Sequence, residues 1–281
     1  MTKRILLLGS TGLLGSAIAE KFQTIDDFQL VMPKRDQLDL ANFSLLADYI
    51  AEVKPELIIN AAGYNAVDQA EDDEVECFKL NAELPKVLAI NAYQNGAKLV
   101  QFSSDYVFDG SNVDGYLESH PRTGQLNKYG VSKALGEANV ENFTDNFWLI
   151  RISWLFGGRT RPNFVRSMLN LAATNSEIPV VNDQIGKPTY APDVAKALEQ
   201  LINEEYKTGI YHLPNENSVS WHDFAQTIFA LKNLNIKVKP ILSSELARKA
   251  TRPQHSTLLN VKFPVLRPYE DALFEYLNFL S

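Results

Sequence analysis

The sequence predicts an α/β protein, in which a doubly wound parallel sheet is accompanied by a smaller C-terminal α/β domain. In the first half, short apolar runs alternate with amphipathic stretches, and the apolar runs are nearly continuous. Strands of this kind are buried on both faces, as in a parallel sheet covered by helices on both sides. After residue 154 the alternation loosens, and Pro and Gly become frequent. We therefore predict one domain over residues 1–154, to which some later segments return, and a second over residues 155–281.

Each element follows from its local pattern. Short apolar runs predict strands at residues 5–8, 29–32, 56–60, 98–103 and 148–152. Amphipathic stretches predict helices at residues 12–22, 43–52, 74–95 (broken or restarted near Pro85), 129–140, 163–173, 192–203 and 220–232. Ser220 opens the last helix and Asp223 lies three residues on, a pattern typical of a helix N-terminus.

Bulk composition narrows the class of protein. The formal net charge of −7 argues against nucleic acid or an anionic membrane as the main partner. The apolar run at residues 5–8 stops short of the roughly 7–15 residues of an export signal, and no stretch approaches the ~20 residues of a membrane span. Cys77 is the only cysteine, and the histidines lack ligand spacing. We therefore expect a protein of the reducing cytoplasm, without disulfides and without a metal site.

A glycine-rich turn joins the first predicted strand to the first predicted helix. Residues 9–15 read Gly-Ser-Thr-Gly-Leu-Leu-Gly. Glycines let a backbone bend sharply and approach a pyrophosphate closely, and the helix N-terminus that follows supplies free N–H groups. The position after the first strand of an α/β chain favours a Rossmann-type dinucleotide site over a plain turn. The predicted cofactor contacts in this turn are Gly9, Ser10, Thr11, Gly12, Leu13, Leu14 and Gly15.

The end of the second strand, about twenty residues past Gly15, faces the adenosine ribose in this fold. Arg35 lies there and suits the 2′-phosphate of NADP, whereas an acid such as the neighbouring Asp36 would bind the 2′-hydroxyl of NAD. We predict that NADP(H) is preferred and that NAD(H) also serves. Asp39 and Leu40 complete this part of the predicted site.

Three further side chains form a candidate catalytic set. Tyr129 and Lys133 lie at i and i+4 and therefore share one helix face. A free tyrosine has a pKa near 10, and a neighbouring ammonium favours its phenolate. Ser104 follows a predicted strand, where the carboxyl end of a parallel strand opens into the ligand crevice. We predict that Ser104 binds a substrate oxygen while Tyr129 exchanges the proton.

With these residues the chain resembles the extended short-chain dehydrogenase/reductases and, within them, the dTDP-4-dehydrorhamnose reductase family. The matching stretches are residues 60–64, 66–71, 102–110, 129–133, 151–154, 163–165, 183–190 and 252–253. The resemblance implies NAD(P)H-dependent reduction of the 4-keto group of a nucleotide-activated deoxysugar. It favours dTDP-4-dehydro-L-rhamnose as the substrate, with dTDP-L-rhamnose, a precursor of cell-surface polysaccharide, as the product.

The resemblance also implies roles for individual residues. Ser104 replaces the usual threonine of the family and keeps its hydroxyl. Ala61, Ala62 and Gly63 would line the cofactor, and Asn81 would support this region. Arg252 would lie near the nucleotide phosphates. The full set of implied substrate contacts is Ser104, Asp105, Val107, Tyr129, Trp154 and Arg252.

Competing activities differ in the residues around the catalytic hydroxyl. Sugar-nucleotide 4,6-dehydratases place Asp and Glu after it, whereas Asp105 is followed here by Tyr106. GDP-fucose synthases place a cysteine beside it, whereas Cys77 lies elsewhere. A reductase of another nucleotide sugar stays open, as does a non-catalytic regulatory subunit like the β subunit of methionine adenosyltransferase. Residues 16–18 lack the acids of the metal-linked dimer of some members, which argues against that dimer, and a homodimer stays open.

Overall fold

The computed structural model describes residues 2–158 and 161–280. Its strands are β1 (Lys3–Leu8), β2 (Phe28–Val31), β3 (Leu57–Asn60), β4 (Lys98–Ser104), β5 (Phe147–Ile152), β6 (Leu155–Phe156), β7 (Glu177–Val181), β8 (Ile185–Gly186), β9 (Thr189–Tyr190), β10 (Gly209–His212), β11 (Val219–Ser220) and β12 (Lys237–Ile241). Its α-helices are α1 (Leu13–Phe22), α2 (Phe43–Val53), α3 (Glu74–Phe78), α4 (Leu84–Gln94), α5 (Lys128–Phe143), α6 (Phe164–Ala172), α7 (Ala191–Asn203), α8 (Trp221–Leu231) and α9 (Tyr269–Phe279). Every helix in these ranges is too short or too polar to reach across a lipid bilayer.

A parallel sheet forms the centre of the molecule. Its strands within the described residues follow the order β10-β5-β4-β3-β1-β2, and each neighbouring pair is parallel. The order changes direction between β1 and β3. Open sheets of this type bind ligands at such a switch point, outside the carboxyl ends of the strands. The predicted α/β architecture is confirmed, and the sheet marks where a site is expected.

Helices cover both faces of this sheet because successive strand residues point to opposite sides. Ile5 and Leu7 of β1 pack in a core with α1 and α7. Leu6 and Leu8 pack in a second core with α2, α4 and α5. All four side chains are almost completely buried. The continuous apolar pattern of the strand therefore reports a sheet buried on both faces.

Two elements beyond residue 154 belong to the same layers. Strand β10 hydrogen-bonds to β5 at the edge of the sheet, and α7 packs beside α1. The chain therefore returns to the sheet after it has left it. A domain boundary at residue 154 stays a prediction for the remaining C-terminal segments.

A separate aromatic core lies in the C-terminal part. Phe156, Phe224 and Tyr276 are fully buried there, among α6, α8, α9 and the paired strands β7 and β12. The sequence analysis missed β7, β12 and α9. Both strands are short and contain an internal proline, Pro179 or Pro240, which masks their pattern.

Two local predictions about helices are confirmed. The stretch from α3 to α4 is interrupted by a π-helical turn at Lys79–Glu83, and Pro85 lies in the first turn of α4, directly after that interruption. Ser220 caps α8 by accepting a hydrogen bond from the backbone N–H of Asp223.

Candidate functional site

A cavity of about 430 Å³ lies at the carboxyl ends of β3, β4 and β5. It is the place that the strand order indicates for a ligand. The cavity is lined by predicted site residues, namely Gly12, Leu13, Leu14, Ala61, Ala62, Gly63, Ser104, Asp105, Tyr129, Lys133 and Trp154. It is also lined by residues that the sequence analysis did not select, including Asn65, Val67, Tyr106, Ile152, Ser153, Leu155, Pro162 and Trp221.

The glycine loop is packed too closely for other residues. Gly9 has a φ of +76°, and a Cβ there would lie 2.6 Å from the backbone N of Ala62. A Cβ on Gly15 would lie 2.1 Å from the carbonyl oxygen of Gly9. Gly12 precedes α1 and has no side chain to cap it. The first N–H groups of α1 are therefore free to bind an anion at the edge of the cavity.

A loop from the C-terminal half also contacts this turn. The Nε of Arg161 donates a hydrogen bond of 2.8 Å to the carbonyl oxygen of Thr11. Pro162 beside it lines the cavity. The guanidinium of Arg161 therefore contacts the glycine loop. No motif or spacing in the sequence indicated this contact.

Ser104 lies where β4 ends, with its side chain at the cavity. Its hydroxyl donates a hydrogen bond of 2.8 Å to Oδ1 of Asp105 and accepts one of 3.2 Å from the backbone N–H of Tyr106. Asp105 is only 2% exposed, and burial raises its pKa to about 6, against the effect of hydrogen bonds from Ser256 and Ser104. The end of β4 thus presents a hydroxyl and a buried carboxyl side by side.

Tyr129 and Lys133 face this strand end from α5. Asn127 caps the helix by accepting a hydrogen bond of 2.7 Å from the backbone N–H of Gly130. The cap fixes the first turn, which carries Tyr129. The ring of Tyr106 packs edge-on against that of Tyr129, with centroids 5.5 Å apart. The structure therefore brings the three predicted catalytic residues to one cavity.

The expected direction of the Tyr129 pKa is reversed in this structure. Burial raises the pKa of Tyr129, and the neighbouring Ser104 hydroxyl only opposes that rise. Lys133 is equally buried, and burial lowers its pKa to about 8. Its Nζ donates a hydrogen bond of 2.9 Å to the carbonyl oxygen of Phe102. Desolvation is therefore the dominant influence on the pKa of both groups in this structure.

A buried amide ties the cofactor side of the cavity to α5. Asn81 lies in the π-helical turn, and its Oδ1 accepts a hydrogen bond of 2.9 Å from the backbone N–H of Tyr64. Its Nδ2 donates to the carbonyl oxygen of Tyr64 and to Oγ of Ser132. Ser132 in turn donates to the carbonyl oxygen of Tyr129. Asn81 therefore holds residues 63–64 in register with the helix that carries the predicted catalytic tyrosine.

Two stacked indoles form the wall of the cavity on the side of the C-terminal part. The rings of Trp154 and Trp221 lie 3.6 Å apart and nearly parallel, and Phe164 packs against Trp221. Trp154 has a φ of +45°, which is rare for a bulky residue and costs energy. The backbone strain is therefore borne at a residue that lines the cavity.

The remaining predicted residues do not line the cavity. Arg35 and Asp39 are exposed in the segment after β2, where Asp39 accepts a hydrogen bond from the backbone N–H of Ala41. Leu40 packs against the core under α2 and α4. Val107 is fully buried in a cluster with Phe108 and Tyr116, so its side chain does not reach the cavity.

Arg252 is engaged in a contact that the sequence did not reveal. Its NH1 and NH2 donate to Oδ1 and Oδ2 of Asp68 at 2.5 and 2.7 Å. It also lies close enough to Tyr106, which lines the cavity, for that residue to contribute to raising the pKa of Arg252. The Arg252 hydrogen bond holds the pKa of Asp68 down, at about 2, so this pair stays charged at neutral pH. Arg252 thus supports the cavity wall from behind.

This chain is similar to known proteins over nearly its full length. The model of the family described as RmlD substrate binding domain matches residues 3–280. A dTDP-4-dehydrorhamnose reductase of Burkholderia thailandensis is 35% identical over 92% of this chain and 90% of its own length. The spore coat polysaccharide biosynthesis protein SpsK of Bacillus subtilis is 32% identical over 99% of this chain and 98% of its own length.

Solved structures extend the likeness to the fold. A dTDP-4-dehydrorhamnose reductase from Bacillus anthracis, crystallised in complex with NADP, superimposes with a TM-score of 0.94 at 33% identity, over 99% of this chain and 100% of that one. A dTDP-4-dehydrorhamnose reductase from Yersinia enterocolitica superimposes with a TM-score of 0.92 at 27% identity, over 100% of both chains. With its family match over nearly the full length, this chain belongs to the RmlD substrate binding domain family, whose relatives described above include the dTDP-4-dehydrorhamnose reductases.

Proposed function

We propose that this chain is an NADPH-dependent reductase of the 4-keto group of a nucleotide-activated deoxysugar. The substrate we favour is dTDP-4-dehydro-L-rhamnose, and the product is dTDP-L-rhamnose. One observation carries the proposal: Ser104, Tyr129 and Lys133 line a single cavity together with the start of α1. The names of the relatives support a reductase over a regulatory subunit.

The residues of the glycine loop fit a dinucleotide. A pyrophosphate needs close approach of the backbone and unpaired N–H groups, and both features are present at Gly9 and at the start of α1. Ala61, Ala62 and Gly63 would contact the cofactor from the end of β3. When bound, NADPH supplies a hydride equivalent to the carbonyl carbon. Lys133 would hold the nicotinamide ribose, provided that its ammonium leaves the carbonyl of Phe102.

The protein must also bind the carbonyl oxygen and supply it with a proton. Ser104 binds this oxygen by donating a hydrogen bond, and Tyr129 donates its phenolic proton to it as the carbon is reduced. The raised pKa of Tyr129 keeps the phenol protonated before the reaction, as a proton donor requires. The indole pair of Trp154 and Trp221 would face the sugar and exclude water from this side.

All of the residue assignments stay predictions, and two of them concern residues outside the cavity. Arg35 is expected to recognise the 2′-phosphate of NADPH, with Asp39 and Leu40 nearby, although the three residues lie outside the cavity. Arg252 is expected near the nucleotide phosphates, in competition with its pairing to Asp68. A cytoplasmic location and a homodimer likewise rest on the sequence alone.

The proposed function is tested with purified protein, NADPH and a panel of nucleotide-linked ketones. Incubation with dTDP-4-keto-L-rhamnose should consume NADPH in equal amount to the product formed. Activity only with a GDP- or UDP-linked ketone would overturn the substrate and keep the reaction class. Absence of turnover with every ketone, together with capture of a partner enzyme, would favour the regulatory subunit instead.

A further inference from the structure

Asp105, which the resemblance implies as a substrate contact, is a buried carboxyl without a proton-transfer role in the proposed reduction. It lies at the end of β4, is 2% exposed, and lines the cavity between Ser104 and Tyr106. Oδ1 accepts the Ser104 hydrogen bond, whereas Oδ2 is buried without a hydrogen-bond partner of normal geometry among the described residues. A buried carboxylate with an unpaired oxygen is costly, so this group calls for an explanation.

The hydrogen bonds at Ser104 make that carboxyl relevant to the reaction. A serine hydroxyl has one proton to donate and two lone pairs to accept with. Here the proton goes to Oδ1 of Asp105, and one lone pair accepts the N–H of Tyr106. An ionised carboxylate can only accept hydrogen bonds. While Asp105 is ionised, the single proton of Ser104 is therefore directed away from a substrate oxygen.

Protonation of Asp105 reverses this hydrogen bond. The neutral carboxyl has an O–H that donates to the second lone pair of Ser104, whose own proton is then free to turn toward Tyr129 and the cavity. The only covalent bond formed is the O–H of the Asp105 carboxyl, whose proton comes from solvent, and the remaining changes are in hydrogen bonds. We propose that Asp105 is a positioning residue whose protonation state sets the direction of the Ser104 hydroxyl and thereby controls reduction of the ketone. This inference rests on the proposed function.

No ion pair among the described residues stabilises the ionised form of Asp105. From α5, Lys133 donates its hydrogen bond to the carbonyl of Phe102. From the segment after residue 250, Arg252 is paired with Asp68. Neither cation forms a salt bridge with Asp105 among the described residues.

Polar groups without charge complete the surroundings of the carboxyl. Tyr129 of α5 and Tyr106 of the same strand end both face it, and each has its own pKa raised by burial and by the charge of Asp105. Ser256, from the segment after residue 250, also lies near the carboxyl and opposes the rise of its pKa. Burial dominates and raises the pKa of Asp105 to about 6, so the switch falls inside the range of an ordinary enzyme assay.

The test compares pH profiles of kcat/KM for the wild type and Asp105→Asn, with NADPH and dTDP-4-keto-L-rhamnose. The wild type should lose activity as the pH rises through about 6, because ionised Asp105 takes the Ser104 proton. An asparagine cannot ionise, and its NH₂ group can donate to Ser104. Asp105→Asn should therefore show no decline near pH 6 and should exceed the wild type at the alkaline end.

Two matched variants show whether Asp105 acts through Ser104. Asp109 accepts hydrogen bonds from the hydroxyls of Ser111 and Tyr116 but lies outside the cavity, and these bonds lower its pKa. Asp109→Asn should therefore keep the wild-type profile. In a Ser104→Ala background, adding Asp105→Asn should not change the shape of the residual profile, because no hydroxyl remains to be directed.

A readout without substrate checks the ionisation itself. A carboxyl whose pKa is raised on folding contributes stability below its unfolded value, near 3.9, and this stability is lost as the pH rises through the folded value of about 6. The Tm of Asp105→Asn relative to the wild type should therefore increase between about pH 4 and pH 7.

The outcomes separate the inference from the proposed function. If the wild type reduces no nucleotide-linked ketone at any pH, the proposed function is wrong. If the wild type turns over but Asp105→Asn has the same pH profile, or loses activity by one constant factor at every pH, then Asp105 is only structural and this inference alone is overturned.

Discussion

The two ends of the predicted cofactor site differ in how firmly the protein holds them. At the catalytic end, Ser104, Tyr129 and Lys133 are each 8% exposed and are packed between β4 and α5. At the adenosine end, Arg35 and Asp39 are exposed in an irregular segment after β2. Under the proposed function, the difference teaches that the reaction chemistry would be built into the packed core, whereas the choice between two cofactors would depend on surface side chains that can change without disturbing the fold.

The largest effect on activity is expected from a substitution at the catalytic end of the site. Tyr129→Phe removes the proton donor and should reduce kcat by about 10²–10⁴, the usual contribution of a positioned acid, while NADPH still binds. Steady-state kinetics and cofactor titration measure the two quantities separately. Tyr116→Phe, which removes a phenol outside the cavity, is the control. Near-normal turnover of Tyr129→Phe would refute the assignment.

The glycine loop lies between the two ends of the predicted cofactor site. A substitution there should weaken the binding of NADPH and NADH by the same factor. Gly15→Ala places a Cβ 2.1 Å from the carbonyl oxygen of Gly9, so the loop must shift. We expect a loss of about 1–3 kcal/mol in stability, typical of overpacking, and weaker binding of NADPH and NADH by the same factor. Thermal unfolding and cofactor titration are the measurements, and Ser16→Ala is the neighbouring control. Unchanged binding of both cofactors would show that the loop does not contact the cofactor.

The adenosine end should respond selectively and more weakly. Arg35→Ala removes a charge-assisted contact with the 2′-phosphate, for which about 1.5–3 kcal/mol is typical. Solvent screening and the neighbouring Asp36 favour the low end, about tenfold in the KM for NADPH, with the KM for NADH almost unchanged. Equal shifts for both cofactors, or no shift, would make Arg35 a surface residue without a role in cofactor choice.

The smallest effect is expected at the indole wall, which serves the substrate. Trp221→Ala removes a stacked partner of Trp154, a contact worth about 0.5–1.5 kcal/mol beyond the buried area. The KM for the keto-sugar should rise several-fold, with the cofactor KM unchanged, and Trp221→Phe should recover part of the loss. An increase confined to the KM for the cofactor would show that the two indoles contact the cofactor and not the keto-sugar.

The catalytic end was predictable because its residues carry local signals. The i, i+4 spacing of Tyr129 and Lys133 and the position of Ser104 after a strand are both visible in the sequence. Trp221 and Tyr106 were missed because a side chain contributed from a distant or unremarkable segment has no spacing to reveal it. The one available signal was that Trp221 directly follows the N-cap Ser220, at a helix end.

The pKa values and ion pairs of the site residues were harder to predict than their positions in the fold. The sequence placed Tyr129 beside Lys133 and favoured a lowered pKa for Tyr129, but the pKa depends on how much water the fold excludes. The pairing of Arg252 with Asp68 joins residues far apart in the chain, and no local pattern announces it. The strands β7 and β12 were hidden for a related reason, since each is recognised only through its partner.

Hydride transfer to the sugar is the central claim, and isotope labelling tests it most directly. The protein is incubated with dTDP-4-keto-L-rhamnose and NADPH that carries deuterium on the transferable position of the nicotinamide, and the product is analysed by mass spectrometry and NMR. The proposed function predicts one deuterium at C4 of the sugar for each NADPH oxidised, and none with Tyr129→Phe on the same timescale. A wild-type protein that binds NADPH and the sugar nucleotide but leaves the label on the cofactor would contradict it.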